Sequence, residues 1–152
     1  MLITPLPSEL EHDAVQLWRD CGLTRPWNDP GADLGRALEG PSSTVLAAVT
    51  DGQLLGTVMA GQDGHRGWVY YLAVQPGHRE AGIGRALMNA AESWLREQGI
   101  PKLQLMVRAD NTAVIKFYER LGYVDQRVAV LGRFLDEELQ ALREQNSSER
   151  FR

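Results

Sequence analysis

Arg79-Glu80-Ala81-Gly82-Ile83-Gly84 places two glycines one residue apart, where an apolar run ends and an amphipathic pattern begins. Trp68–Val74 reads as a strand and Gln75-Pro76-Gly77 as a turn, while Ile83, Leu87, Ala90, Ala91 and Trp94 form one helix face closed by Gly99. A helix start leaves several backbone amides unpaired and carries a partial positive charge. Glycines let such amides approach an anion, so a phosphate or pyrophosphate is the natural ligand of Glu80–Gly84. Tight helix–sheet packing is the other use of a glycine pair. Two nucleotide signatures are excluded. No lysine follows Gly82 or Gly84 as a P-loop requires, and the preceding strands are hairpin-linked, the wrong setting for a dinucleotide fingerprint.

Other chemistry-bearing side chains stand alone. Asp63 and His65 lie in the connection ahead of the Trp68–Val74 strand, where an acceptor group could approach. An imidazole is the side chain suited to proton transfer at physiological pH, so His65 is a candidate base, although a loop histidine that is only solvated or binds substrate is the alternative. Trp27, between two helices, either lines a pocket or covers the core edge. Strand alternation sends Tyr70 and Tyr71 to opposite faces, so at most one of them points to a site. His12 and His78 read as surface residues, and with no histidine pair at ligand spacing no metal is expected. Cys21, the single cysteine, falls on a helix face with Leu10, Ala14, Leu17 and Trp18. It excludes an intrachain disulfide framework and a multi-cysteine zinc site, and fits a reducing cytoplasm.

The elements that must position these residues are legible. Leu2–Thr4 is a short strand, and Ser8 with Glu11 predicts a capping box for a helix ending at Gly22. A second helix covers Ala32–Leu38. Thr44–Val49 and Leu54–Ala60 form a hairpin through Asp51-Gly52. The Trp68–Val74 run is apolar enough for a central strand covered on both faces. Lys102–Val107 alternates as a strand. Asp110 or Asn111 caps a helix carrying Val114, Phe117, Tyr118 and Leu121, with Gly122 at its end. Val128–Leu131 reads as a last strand. Hairpins followed by crossovers predict one α/β (α+β) domain with a mixed sheet and helices on its faces. That domain covers 1–135, and 136–152 is a polar helix and tail, either solvated or used in a homodimer contact. The 152 residues suit a single core. Sixteen Lys+Arg against 20 Asp+Glu give −4, which argues against a dedicated nucleic-acid binder. No signal peptide and no apolar run of about 20 residues is seen, so no membrane partner is expected.

Arg79-x-x-Gly82-x-Gly84 after an apolar strand resembles the acetyl-CoA-binding motif of the GNAT N-acetyltransferases. Tyr71-Leu72-Ala73-Val74-Gln75-Pro76 resembles that family's preceding strand, and Arg85-Ala86-Leu87-Met88 its following helix. Asn111-Thr112-Ala113-Val114-Ile115-Lys116-Phe117-Tyr118-Glu119-Arg120-Leu121-Gly122-Tyr123 is similar to its second signature, at the expected separation. The likeness covers about Val45–Tyr123. The segments Arg25–Pro30 and Asp63–Gly67 further resemble a small bacterial subgroup, the YpeA-like acetyltransferases.

The resemblance implies a mostly antiparallel sheet with a splayed central strand pair, and acetyl-CoA as donor to a primary amine by direct attack in a ternary complex. The amides of Glu80, Ala81, Gly82, Ile83 and Gly84 would hold the pyrophosphate, and Arg79 and Arg85 would add charge or stand as solvated arginines. The pantetheine arm would pair with the backbone of Leu72, Ala73 and Val74, and an amide from this segment would also polarise the thioester carbonyl. Tyr118 would protonate the leaving thiolate, and Asn111 would cap its helix and touch the pantetheine. No carboxylate stands on Trp68–Val74 where family members often carry one, so His65, or water, would take the amine proton. Trp27, Asp63, His65 and Tyr70 are the candidate contacts for the acceptor, whose identity is not legible. A non-catalytic acyl-CoA sensor is the alternative function, and an interaction domain with a packing loop is the third. About a dozen residues, Val124–Leu135, stand where the family usually has two full strands.

Overall fold

The computed structural model describes residues 1–150, with side chains through 147. The elements are β1 (Leu2–Pro5), α1 (Glu11–Asp20), α2 (Pro30–Glu39), β2 (Ser43–Thr50), β3 (Gln53–Gln62), β4 (Gly67–Val74), α3 (Ile83–Glu97), β5 (Leu103–Gln104), α4 (Thr112–Arg120) and α5 (Glu137–Arg150). The sheet order follows the chain, β1-β2-β3-β4-β5. The first three pairings are antiparallel and β4–β5 is parallel. Asp51 and Gly52 take φ of +50° and +75°, the left-handed pair that a two-residue hairpin turn needs, and so join β2 to β3. The fold is the mixed α/β arrangement expected from the order of elements.

Each face of the sheet has its own core. Leu10, Ala14, Leu17 and Trp18 of α1 and its approach join Leu34 and Ala37 of α2 against Val45, Ala47 and Ala73. Across the sheet, Ile83, Leu87, Met88 and Ala91 of α3 press on Leu46, Ala48, Val58, Ala60 and Val69. The close approach of α3 uses two glycines of the sheet. A Cβ on Gly56 would stand 2.8 Å from the Ala73 carbonyl, and one on Gly67 2.5 Å from Leu95. Tyr123, just past α4, donates its hydroxyl to Glu92 at 2.7 Å and ties the second signature to α3, the helix of the first.

Several local expectations give way to tertiary context. Ser8 opens a 3-10 turn over Ser8–Leu10 with Pro7 in the cap position, so the capping box does not form. Asp29, not a later residue, caps α2 by accepting from the Ala32 amide at 3.0 Å, with Pro30 at the first helical position. The strand expected over Lys102–Val107 pairs only through Leu103 and Gln104, opposite Gly67 and Trp68. Leu105, Met106 and Val107 pair with no strand. Val128–Leu131 forms no strand, and Val128 and Leu131 are 70% and 93% exposed. A β-branched run needs a partner edge, and β5 offers two residues. Among the described residues no strand lies beyond β5, so the short β4–β5 pairing ends the sheet. Consequently β4 is half-buried along Tyr71, Leu72 and Val74 rather than covered throughout.

The two tyrosines of β4 do not face apart. Met59 pairs with Tyr70 and Thr57 with Ala73, so Val58 alone opposes both Tyr71 and Leu72. That extra residue is a β-bulge. Directly opposed residues share a face, and Met59 packs on the α1–α2 side, which places Tyr70 there. Tyr71 packs on the same side. The bulge absorbs the half-turn that alternation would have spent sending Tyr71 to the other face.

Candidate active site

The bulge is where the backbone is least ordinary. Tyr71 has φ +51°, one of three non-glycine residues with positive φ among the described residues. A bulky side chain adopts that conformation only when its surroundings over-determine it. Tyr71 stacks on Trp18 with ring centroids 3.9 Å apart and donates its hydroxyl to Asp33 Oδ2 at 2.6 Å. Burial, and then the Asp33 carboxylate, push its phenol well above the usual range. From Val69 onward, β4 has no strand partner on its β5 side among the described residues. A strand edge bearing Leu72, Ala73 and Val74 is therefore open for an extended ligand to pair with.

That edge leads directly into the glycine loop. Pro76–His78 makes a 3-10 turn, tied back by the Gln75 amide on the Leu55 carbonyl at 2.8 Å. The Ala81 amide closes a turn on His78 at 3.3 Å, while Gly82 reaches φ +77° as the cap of α3 and no side chain caps that helix start. The first intrahelical bond belongs to Ala86, donating to Gly82 at 3.1 Å. The amides of Ile83, Gly84 and Arg85 thus form the unpaired, positive end of a fifteen-residue helix. The two glycines serve different needs. Gly82 supplies the left-handed turn, whereas a Cβ on Gly84 would stand 3.2 Å from Phe117 Cζ. Gly84 is thus a docking point for α4. Arg79 reaches Cys21 Sγ at 3.7 Å, and Cys21 in turn donates to the Val74 carbonyl at 3.5 Å. Glu80 and Arg85 are exposed beside the loop.

The helix α4 carries the second group. Asn111 Oδ1 accepts from the Val114 amide at 3.3 Å and starts α4. Tyr118 lies edge-on to Phe117 and to Tyr123, at 5.1 and 5.8 Å between centroids. Among the described residues no hydrogen bond engages its hydroxyl. Burial pushes the phenol up to about 12, so it stays protonated at neutral pH. Tyr118 lines a groove of about 790 Å³ between α3, α4 and the β5 edge, with Leu105, Ile115 and Tyr123 among its walls.

The remaining candidates lie elsewhere. Asp63 organises the β3–β4 turn, accepting from the amides of His65 and Arg66 at 2.9 and 2.8 Å and from the Trp68 indole at 3.1 Å. The Arg66 and His65 amides, with that indole, hold its carboxyl down at about 2, which makes it a weak base. His65 is exposed in the same turn, at the opposite end of β4 from the glycine loop. Tyr70 is 46% exposed, and its phenol is raised by burial and then by Asp63. Trp27 lies half-buried under the guanidinium of Arg143 from α5, 5.0 Å from the ring centre. Sequence reasoning missed Thr57 and Asp33, which hold Tyr71; the one polar residue in the run Leu54–Ala60 was the available signal for Thr57.

Comparison with known proteins places these features in one group. The model of the acetyltransferase (GNAT) family matches residues 10–123. An acetyltransferase of Yersinia pestis (strain Pestoides F) is 46% identical over 123 residues, covering 81% of this chain and 87% of that protein. The fold is shared with AAC(6')-Iy, solved with the bisubstrate analogue CoA-S-monomethyl-acetylneamine, at a TM-score of 0.76 and 17% identity over 89% of this chain and 98% of that one. It is also shared with the aminoglycoside 6'-N-acetyltransferase AAC(6')-IG of Acinetobacter haemolyticus, at a TM-score of 0.73 and 18% identity over 90% and 100%. Family model and relative meet on the same segment as the open strand edge and the uncapped helix, and the chain belongs to the GNAT acetyltransferase family.

Proposed function

We propose that this protein transfers the acetyl group of acetyl-CoA to a primary amine by direct attack in a ternary complex. The observation that carries the reading is the continuity of the open β4 edge with the uncapped start of α3. The first suits an extended amide-bearing arm and the second a pyrophosphate, at the separation one strand and one turn provide. Leu72, Ala73 and Val74 would pair with the arm. The unpaired amides of Ile83, Gly84 and Arg85 would hold the phosphates, with those of Glu80 and Gly82 beside them and Arg79 and Arg85 adding charge; the Ala81 amide, expected among them, is already spent on the His78 carbonyl. Acetyl-CoA when bound supplies a thioester whose carbonyl carbon is open to a nitrogen lone pair.

The chain's own groups then manage charge and protons. A bulge amide donates to the carbonyl oxygen as negative charge grows on it. Tyr118 hands its proton to the sulfur as the carbon–sulfur bond breaks and the carbon–nitrogen bond forms. The amine's proton leaves to water, because Asp63 is held too acidic to take it and His65 stands at the far end of β4. No cysteine lies in the two motif segments, which fits direct transfer rather than a covalent acetyl-enzyme. Tyr70, exposed on the α1–α2 side, and Trp27 in the nearby loop are the proposed acceptor contacts. Three fold neighbours are named as aminoglycoside acetyltransferases, so aminoglycosides belong in the first panel beside diamines, peptide N-termini and lysine. Release of free thiol from acetyl-CoA, dependent on both protein and amine, tests the reading. Tight CoA binding with no thiol release across that panel would favour an acyl-CoA sensor instead.

A further inference from the structure

Three elements converge on one residue of β4, Tyr71. Thr57 of β3 is fully buried and its hydroxyl is used twice, accepting from the Trp18 indole at 2.8 Å and donating to the Tyr71 carbonyl at 3.0 Å. Trp18 of α1 also stacks on the Tyr71 ring, and Asp33 of α2 holds the Tyr71 hydroxyl while its other oxygen takes Arg36. Ring, hydroxyl and carbonyl of Tyr71 are each held from a different element. Such over-determination is what a bulky residue at φ +51° requires.

The peptide plane gives this clamp a direction. No cis bond occurs among the described residues, so the N–H of Leu72 points opposite to the C=O of Tyr71. Thr57 pulls that carbonyl toward β3. The Leu72 N–H is therefore aimed away from β3, toward the edge of β4 that has no strand partner beyond Trp68 among the described residues.

Building on the acetyl-transfer reading, we propose that Thr57 is a positioning residue, and that with Trp18 and the Tyr71–Asp33 pair it fixes the Leu72 amide as the donor to the thioester oxygen. The clamp lies behind the strand and touches neither donor nor acceptor. Its loss turns the peptide plane and removes a contact made to the acetyl carbonyl, while the phosphate contacts and the pairing of the pantetheine arm with Ala73 and Val74 remain.

The test compares Thr57→Val, Thr57→Ser and Tyr71→Phe with the wild type. Kinetics give kcat and KM, calorimetry gives CoA affinity, and backbone NMR follows the Leu72 amide with CoA and with acetyl-CoA. Thr57→Val is expected to lower kcat about tenfold or more with CoA affinity within about twofold, as loss of one oxyanion donor costs about 100-fold or more. Thr57→Ser, which keeps the hydroxyl, is expected to recover most of kcat, and Tyr71→Phe to lose a few fold. In the wild type the Leu72 proton should move downfield with acetyl-CoA and not with CoA, a shift Thr57→Val abolishes. Tyr71→Phe keeps the buried ring and decides the matter if Thr57→Val does not fold. Unchanged kcat in Thr57→Val and Tyr71→Phe overturns the proposal, as does kcat falling in step with CoA affinity in every variant. A wild type that transfers no acetyl group sinks the reaction instead, and the Leu72 shift then still decides the positioning claim.

Discussion

Tyr118 and Asp63 show how surroundings assign roles to side chains that composition leaves equivalent. Burial raises the Tyr118 phenol to about 12, which removes it as a base and keeps its proton available. Tyr118→Phe is expected to lower kcat by about 100-fold at neutral pH with little change in the KM for acetyl-CoA, the usual scale for a lost proton donor. Because the folded phenol titrates above the ordinary value near 10, the folded state holds the proton longer than the unfolded one. Its contribution is complete below about pH 10 and disappears as pH rises to about 12. Asp63 has the opposite sign. Its contribution is complete above about pH 4 and is lost as pH falls toward 2, so chemical denaturation of Asp63→Asn should show a flatter acid limb than wild type. The residue pattern suggested Asp63 and His65 as acceptor contacts because both can move protons. That the carboxylate is saturated by two amides and an indole depends on turn geometry, which spacing does not reveal.

At the scale of elements, legibility tracked how local the cause was. The hairpin at Asp51-Gly52, the helix ended by Gly99 and the Asn111 cap depend on neighbouring residues only, and each formed as its pattern predicts. The Tyr71 bulge depends on the register of β3 against β4, and the shortness of β5 on strands that never join it; neither cause lies within the segment affected. The glycine loop is a mixed case. Its function as a helix start was legible, but the reason for Gly84, room for Phe117 on α4, required the fold. Gly84→Ala should therefore lower stability by about 1–3 kcal/mol by forcing Phe117 aside, measured by urea denaturation. Gly82→Ala meets no neighbour but carries the left-handed cost of about 1–2 kcal/mol, and should weaken CoA binding by rotating the loop amides.

For the whole molecule, one core on each side of a five-strand sheet positions the open β4 edge and the start of α3 proposed to hold the donor, and the described residues after Tyr123 add no strand. No helix among the described residues is long and apolar enough to cross a membrane. The C-terminal helix instead folds back so that Arg143 covers Trp27, on the loop joining α1 to α2. Arg143→Ala removes a cation–π contact of about 0.5–1 kcal/mol, so the melting temperature should fall by roughly 1–4 °C while CoA affinity is unchanged. The most direct test of the account lies at this scale. Purified protein is mixed with acetyl-CoA and each amine of the panel, with free thiol and acetylated product measured together. Direct acetyl transfer should give thiol and N-acetyl product in equal amounts for at least one amine, with Tyr118→Phe slowing both alike. Thiol release without acetylated amine, or tight CoA binding with no release for any amine, would contradict it.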